Sequence, residues 1–298
     1  MARIHQMTIH QFEKLFPNEG SCAAYLISHR WPDGVHCPRC GSVRVYALAT
    51  MEFKWECPDC RVGGAYRFSH ITGTIFENTN KPLREWFRVI HMMLTSKKGV
   101  SALQIQRVMG FGSYRTAWYM CHRIRSGMAD EGFQKLMGIV EVDETFIGGK
   151  SQNKHRSKRA GKSGNVHGGK DIVVGAVERK GNVVARVIEN TTYATLRGFI
   201  DEAVSTRVSM LCTDQYPAYD RLKRDFFHRS VDHSKGSYVV GAIHTQTIEG
   251  FWSLVKRGMV GTFHKVSAKY LPLYVAEFQF RYNNRLNDDI FGAAMSAF

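Results

Sequence analysis

The chain has 298 residues, 44% of them hydrophobic, and carries 41 Lys and Arg against 26 Asp and Glu, a formal net charge of +15. That length allows two or three domains with at least one full core, and that charge points to a polyanionic partner, of which nucleic acid is the usual one. No apolar run approaches the roughly 18 residues of a membrane-spanning helix and the first residues lead into no signal-peptide core, so membrane and secreted classes are set aside and a cytoplasmic, nucleoid-associated protein is expected.

Residues 9–16 and 22–27 have helical character, broken at Pro17-Asn18-Glu19-Gly20, and are expected to pack on the segment that follows. That segment holds Cys37-Pro38-Arg39-Cys40 and Cys57-Pro58-Asp59-Cys60, two C-x-x-C knuckles separated by sixteen residues. Two such knuckles supply four thiolates to one tetrahedral Zn²⁺, and the stretches 42–48 and 51–56 read as short strands, giving a zinc ribbon. No βαβ pattern surrounds the knuckles, which argues against a redox role. The ribbon is either a structural staple or a contact surface through Arg39, Arg44, Lys54, Arg61 and Arg67. The remaining cysteines, Cys22, Cys121 and Cys212, sit among apolar residues and read as buried thiols of a reducing compartment.

From Leu83 the apolar residues Leu83, Trp86, Phe87, Ile90 and Leu94 mark one helical face, and Lys97-Lys98-Gly99 breaks it. Residues 101–109 form a short helix capped by Ser101 and closed by Gly110-Phe111-Gly112, after which Ser113 caps a longer helix to about residue 128. Short helix, glycine-containing turn and longer helix outline a helix-turn-helix, with Arg115, His122, Arg123 and Arg125 as cations. The same outline occurs in helical cores that bind nothing. If it reads DNA, the first residues of the longer helix enter the major groove.

Asp143 ends the run Ile139-Val140-Glu141-Val142-Asp143, and Asp214 follows a second apolar run, so each is expected at or just beyond a strand end. Between them, residues 148–170 hold seven Lys or Arg, six Gly and no Asp or Glu. This cationic segment is read as a flexible loop, and Lys150, Lys154, Arg156, Lys158 and Arg159 are its candidates for a phosphate backbone, with a solvated insertion as the alternative. Residues 171–179 and 182–188 flank Lys180-Gly181 as a hairpin; a helix at about 192–204, a strand at 208–212 and a short helix after Pro217 follow. On a last helical stretch Ile248, Phe251, Trp252 and Val255 form a buried face, while Glu249, Ser253 and Lys256 share a second one. Hard carboxylates from two strands and a helix suit two Mg²⁺ or Mn²⁺ ions, the arrangement of two-metal phosphoryl transfer. Glu144 is not expected as a ligand, because adjacent strand residues face opposite ways. The element order and the placement of the acids are, by analogy, those of a ribonuclease-H-like fold.

The chain as a whole resembles insertion-sequence transposases of the ISXO-like group. The likeness rests on 16–41, on Thr72-Gly73-Thr74-Ile75-Phe76 with Trp86-Phe87, on Lys98-Gly99-Val100-Ser101-Ala102 with Thr116-Ala117-Trp118, on 142–150, on Thr213-Asp214-Gln215-Tyr216-Pro217-Ala218-Tyr219, and on 244–258. The resemblance implies a multidomain α/β protein. Residues 1–80 would be N-terminal helices and zinc ribbon, 81–130 a helix-turn-helix, and 135–298 a ribonuclease-H-like catalytic domain of the DDE type. It also implies that Asp143, Asp214 and Glu249 are the metal-binding catalytic triad, with thirty-four residues between the last two, and that Lys256 holds DNA near the cut site. His244 is a candidate auxiliary or packing residue. Where the family pattern has Asn after His-Thr, this chain has Gln246; the acids are intact, so activity is expected to survive. The implied activity is binding of the element's terminal inverted repeats, metal-dependent cleavage and strand transfer to target DNA by at least a dimer. Rival readings are a transposase-derived regulator that binds without cutting and a metal-dependent nuclease that cuts without joining.

Overall fold

The computed structural model describes residues 7–60, 64–129, 134–149, 170–231 and 244–298. The chain divides into two compact units, Met1–Met128 with Arg285–Phe298, and Ala129–Asn284.

In the first unit, Thr8 and Gln11 form a reciprocal cap at the start of α1 (Ile9–Leu15). Asn18 and Ser21 do the same for α2 (Glu19–Arg30), so this helix begins inside the stretch expected to break it. The Glu19 carboxylate then accepts from the backbone N–H of Leu83 at 2.5 Å and of Arg84 at 3.0 Å, capping α3 (Leu83–Thr95), whose own N-cap, Pro82, has no side chain to do so. The ribbon is a three-stranded antiparallel sheet, β1 (Tyr46–Ala47), β2 (Lys54–Cys57) and β3 (Tyr66–Ser69). Ile27 and Trp31, from the end of α2, pack into its core with Trp55, Phe68 and three of the cysteines. The expectation that both N-terminal helices cover the ribbon therefore holds for α2; α1 instead places Phe12 and the following Phe16 in an aromatic cluster with Phe87 and Phe291. Phe291 belongs to α9 (Ile290–Ala297), so the end of the chain folds into the first unit.

α4 (Ala102–Met109) and α5 (Tyr114–Gly127) follow, with Ser101 accepting from the Gln104 amide and Ser113 from the Arg115 amide, as their sequence suggests. Gly110 closes α4 at φ 66°, a left-handed conformation that favours glycine.

The second unit is a mixed five-stranded sheet in the order β6-β5-β4-β7-β8, formed by β4 (Ile139–Ile147), β5 (Asp171–Glu178), β6 (Val183–Ile188), β7 (Met210–Asp214) and β8 (His228–Val231). β4, β5 and β6 pair antiparallel, while β7 and β8 run parallel to β4. Helices cover both faces. α6 (Tyr193–Ala203) packs on Val140, Val142, Val174 and Ala176, whereas α7 (Gln246–Gly258) and α8 (Leu271–Asn283) pack on Val173, Val177, Val183 and Ala185. β5 is thus buried on both sides and reads as one continuous apolar run. The outer edge of β6 is closed by α8: Asn283 Oδ1 accepts from Val183 N at 2.7 Å and Gln279 Oε1 from Ala185 N at 2.8 Å. No helix among the described residues is long and apolar enough to cross a membrane.

Candidate active site

The β4–β7 ladder runs in parallel register with Ile139 opposite Met210 and Glu141 opposite Cys212. The pairing ends there, and two residues further along each strand come Asp143 on β4 and Asp214 at the end of β7. Asp214 closes β7 as expected, but Asp143 lies in the interior of β4. The apolar run stops there, yet the strand goes on because β5 pairs with it as far as Ile147 opposite Asp171. On β4 the even-numbered Val140 and Val142 face α6, which turns Glu141 and Asp143 toward α7. Glu144 accepts a hydrogen bond from the Tyr219 hydroxyl, in the α6-side core, in keeping with its expected opposite orientation.

Glu249 comes from α7. Ile248, Phe251, Trp252 and Val255 are all buried, and Glu249, Ser253 and Lys256 are exposed on the neighbouring face, as the periodicity predicts. The helix can approach the sheet because Gly175, opposite Asp143 in the ladder, leaves room for the Trp252 ring. The Thr245 hydroxyl donates to Glu249 Oε1 at 2.8 Å.

The groups sense one another. Burial, followed by the charge of Asp214 and then that of Glu249, pushes the Asp143 carboxyl up to about 6, against the Glu144 backbone N–H and the Lys256 ammonium, which pull it down. Burial also pushes the Glu144 carboxyl up to about 7, with the charges of Asp214 and Asp143 adding and the Tyr219 hydroxyl opposing. An acid that burial and neighbouring carboxylates keep from ionising is suited to a divalent cation, whose charge would offset both.

Sequence reasoning missed Glu141. It is fully buried and accepts from Arg179 Nε at 2.7 Å, Thr247 N at 2.8 Å, Thr247 Oγ1 at 2.9 Å and Ile248 N at 3.1 Å. His244 Nδ1 lies 3.2 Å from the same carboxylate, and the His244 carbonyl accepts from Arg179 Nη2 at 3.0 Å. His244 thus sits with Glu141 at the start of α7. Gln246 is exposed at the first position of the helix, while Thr245 and Thr247 make the polar contacts there. The signal for Glu141 was a carboxylate within an apolar strand, two residues before Asp143.

In the first unit, the Cys37 and Cys60 sulfurs lie 3.7 Å apart, as do those of Cys40 and Cys57, and all four fall within 4.8 Å of one another. A tetrahedron with Zn–S bonds of ~2.3 Å has edges of roughly 3.8 Å, so the four thiols fit one Zn²⁺. Burial raises the Cys37 thiol, but backbone N–H groups at Cys40 and Arg39 outweigh it and bring the thiol down to about 7. Among the described residues these thiols are the group of metal-ligating side chains that converges in this way.

The cations expected on α5 separate. Arg115 is exposed in its first turn beside Tyr114, whereas His122 and Arg125 are buried and do not supply surface charge. Arg123 is half-buried and directs its guanidinium to the carbonyls of Glu77 at 2.9 Å and Thr74 at 3.4 Å. Lys150, Lys154, Arg156, Lys158 and Arg159 lie outside the described residues.

Residues 135–283, which include all three carboxylates, match the ISXO2-like transposase domain. Residues 17–62 match the transposase zinc-ribbon domain. The chain is 27% identical over 280 residues, 90% of its length and 92% of the relative's, to an uncharacterized protein in transposable element ISH50 of Halobacterium salinarum. Among solved structures, a simian T-cell lymphotropic virus intasome in complex with PP2A regulatory subunit B56 gamma matches over 65% of each chain, at 14% identity and a TM-score of 0.30.

Proposed function

The chain belongs to the ISXO2-like transposase domain family, and we propose that it is a DNA transposase that binds the terminal inverted repeats of its element, cleaves there and joins the freed ends to target DNA. The observation that carries this reading is the surroundings of Asp143, on whose carboxyl Asp214, Glu249 and Lys256 all act, with Asp143 and Asp214 carried by the adjacent parallel strands β4 and β7. The strand order and the helix bearing the third acid support a ribonuclease-H-like catalytic domain of the DDE type.

Asp143, Asp214 and Glu249 are hard oxygen donors, the first raised by burial and then by the charges of the other two, and they would hold two Mg²⁺ or Mn²⁺ ions. When bound, these ions supply the positive charge that activates an attacking oxygen and stabilises a leaving one at phosphorus. The chain's own groups do the positioning. The Thr245 hydroxyl orients the Glu249 carboxylate, and Lys256, on the exposed face of α7, holds a DNA phosphate beside the carboxylates. Water then cleaves the phosphodiester at the element end, and the released 3′-hydroxyl attacks a target phosphodiester, exchanging one P–O bond for another with no covalent protein intermediate.

Recognition falls to the first unit. α4 and α5 are read as a helix-turn-helix whose exposed Tyr114 and Arg115 enter the major groove, with the zinc ribbon held by Cys37, Cys40, Cys57 and Cys60 beside it in the sequence. The cationic segment that follows β4, with Lys150, Lys154, Arg156, Lys158 and Arg159, contributes phosphate contacts. Two element ends must be joined in concert, so the active species is a homodimer or larger assembly on DNA.

The test is incubation of the purified protein with labelled element-end duplex, a target plasmid and Mg²⁺ or Mn²⁺, with Asp214→Asn in parallel. Joined products that vanish in the variant are expected. Specific end binding without metal-dependent cutting by the unmodified protein would overturn the catalytic reading.

A further inference from the structure

Glu141 stands two residues before Asp143 on the same face of β4, and its carboxylate holds the first turn of the helix that carries Glu249. We infer that Glu141 is a positioning residue of the proposed metal site: together with Arg179 it seats the start of α7 on β4, so that Glu249 is presented to Asp143. This inference rests on the catalytic reading above.

The geometry is direct. The amides held by Glu141, those of Thr247 and Ile248, immediately precede Glu249, so fixing them fixes where the next side chain leaves the helix. The first turn of a helix exposes N–H groups with no intrahelical partner and carries the positive end of the helix dipole, and a carboxylate answers both. Thr245, the N-cap of α7, makes no cap of its own; its hydroxyl goes to Glu249 instead, and Glu141 caps in its place from another strand. Arg179 completes the clamp, since it binds Glu141 through Nε and the His244 carbonyl through Nη2. One strand therefore supplies Asp143 and, one step earlier on the same face, the anchor for Glu249.

A role confined to stability would not require a charge here. An ion pair with one partner wholly buried and the other largely so, as Glu141 and Arg179 are, gains little over well-packed apolar residues, because desolvation offsets much of the attraction. What the pair gives is directional hold: each of its bonds fixes an angle as well as a distance. Partners of this kind behind metal-ligating side chains typically change metal affinity about 10–100-fold when removed.

The experiment compares full-length unmodified protein with Glu141→Gln, which keeps shape and volume but removes the charge and replaces one of the two acceptor oxygens by a donor NH₂, and with Asp214→Asn. Thermal unfolding establishes that each is folded, Mn²⁺ binding is followed by electron paramagnetic resonance without DNA, and cleavage of element-end duplex is measured across a Mn²⁺ series. For folded Glu141→Gln, the expected results are Mn²⁺ affinity weakened by about tenfold or more, a cleavage midpoint moved to correspondingly higher Mn²⁺, and substantial recovery of rate at saturating metal. Binding and midpoint within about twofold of the unmodified protein would overturn the inference. If Glu141→Gln shows no cooperative transition, Thr247→Val, which removes one donor from the same carboxylate, is judged by the same criteria. Asp214→Asn separates the two levels: cleavage that survives it overturns the catalytic reading itself, whereas cleavage lost there but indifferent to the Glu141 change overturns the inference alone.

Discussion

Gly175 on β5 faces the indole of Trp252 so closely that a β-carbon at this position would lie 2.7 Å from Cζ2 and 2.8 Å from Cη2 of the ring. The ring belongs to the rigid buried face of α7 and cannot swing away as an exposed side chain could. Gly175→Ala is therefore expected to lift the helix from the sheet and to destabilise the protein by about 1–3 kcal/mol, the usual range for overpacking. Because Glu249 rides on the same helix, cleavage should fall as well. Thermal denaturation checks the first effect. Adding Trp252→Phe, which shortens the ring, should recover part of the loss, so the two substitutions should cost less together than the sum of their separate effects.

Asp143 shows the opposite relation between stability and activity. Its carboxyl is held up to about 6 by burial and by the charges of Asp214 and Glu249, so at neutral pH the metal-free protein carries an unfavourable charge there. A raised acid contributes stability below its ordinary value near 3.9, and that contribution is lost as pH rises through about 6. Asp143→Asn removes the charge. In the absence of divalent metal and at pH 7 the variant is expected to be more stable by about 1–3 kcal/mol, while cutting no DNA and retaining specific end binding. A variant no more stable than the parent under those conditions would show that the Asp143 charge is not disfavoured in the folded protein.

The sequence carried the carboxylates, the knuckles and the two capped helices because each has a local signature: a spacing, a cap or a periodicity. It carried less of what depends on the fold as a whole. Asp143 was expected at a strand end, since its apolar run stops there, but pairing with β5 extends the strand to Ile147. β3 and β8 have no signature of their own, since neither is bracketed by a motif as β1 and β2 are by the two cysteine knuckles, and each takes its identity from the strand it pairs with. α8 does carry a local signature, for Leu271, Tyr274, Val275 and Phe278 recur at helical spacing and all are buried. Arg123 and Arg125 read as surface cations, yet one is turned to backbone carbonyls and the other is buried, which composition alone cannot distinguish. Glu141 is the clearest case, since its partners lie 38, 106 and 107 residues away in the chain.

The ribbon should stand or fall with its metal. Cys37 and Cys57 are wholly buried with Trp31 and Phe68 around them, so without a cation the four sulfurs cannot all ionise in an apolar cluster, and the two knuckles lose the tie that a shared metal makes between them. Cys37→Ser is expected to lose bound zinc, and a chelator should act likewise on the parent protein. Both treatments should shift tryptophan emission to the red as Trp31 and Trp55 reach water. A Cys37→Ser protein with undiminished zinc content would refute the four-cysteine site.

Arg115 and Arg123 lie on one helix and are expected to fail differently. Arg115 is exposed in the first turn of α5, so Arg115→Ala should weaken binding of element-end DNA and reduce the slope of log affinity against log salt by about 0.9, with little change in thermal stability. Arg123 holds the Glu77 and Thr74 carbonyls, and losing those charge-assisted bonds should cost about 1.5–3 kcal/mol of stability. Salt-dependent binding titrations alongside thermal melts distinguish the two. Equal losses of stability would mean that Arg115 also is structural.

His228 gives the second unit a dependence on pH that can be isolated. The Thr213 hydroxyl donates its proton to the Asp214 carbonyl at 2.6 Å, so its 2.8 Å contact with His228 Nε2 is one in which the ring donates. Nδ1 is then the site that would take up a proton, and among the described residues no acceptor reaches it. Burial, with Lys223 adding to it, accordingly brings this imidazole down to about 4. A histidine with a lowered value stabilises the fold above its ordinary titration near 6.5, and that stability drains away as pH falls from there toward 4, because the unfolded chain takes up the proton first. The loss approaches about 1.4 kcal/mol for each pH unit inside that window. Asp143 works in the contrary direction over an overlapping range, so the parent protein's curve alone would show only a difference. His228→Gln keeps a donor for Thr213 but has nothing to titrate, while the Asp143 contribution is common to both proteins and cancels on subtraction. The gap between their unfolding free energies should therefore narrow steadily from pH 6.5 to 4.5, and curves that stay parallel would exclude His228 as the titrating group.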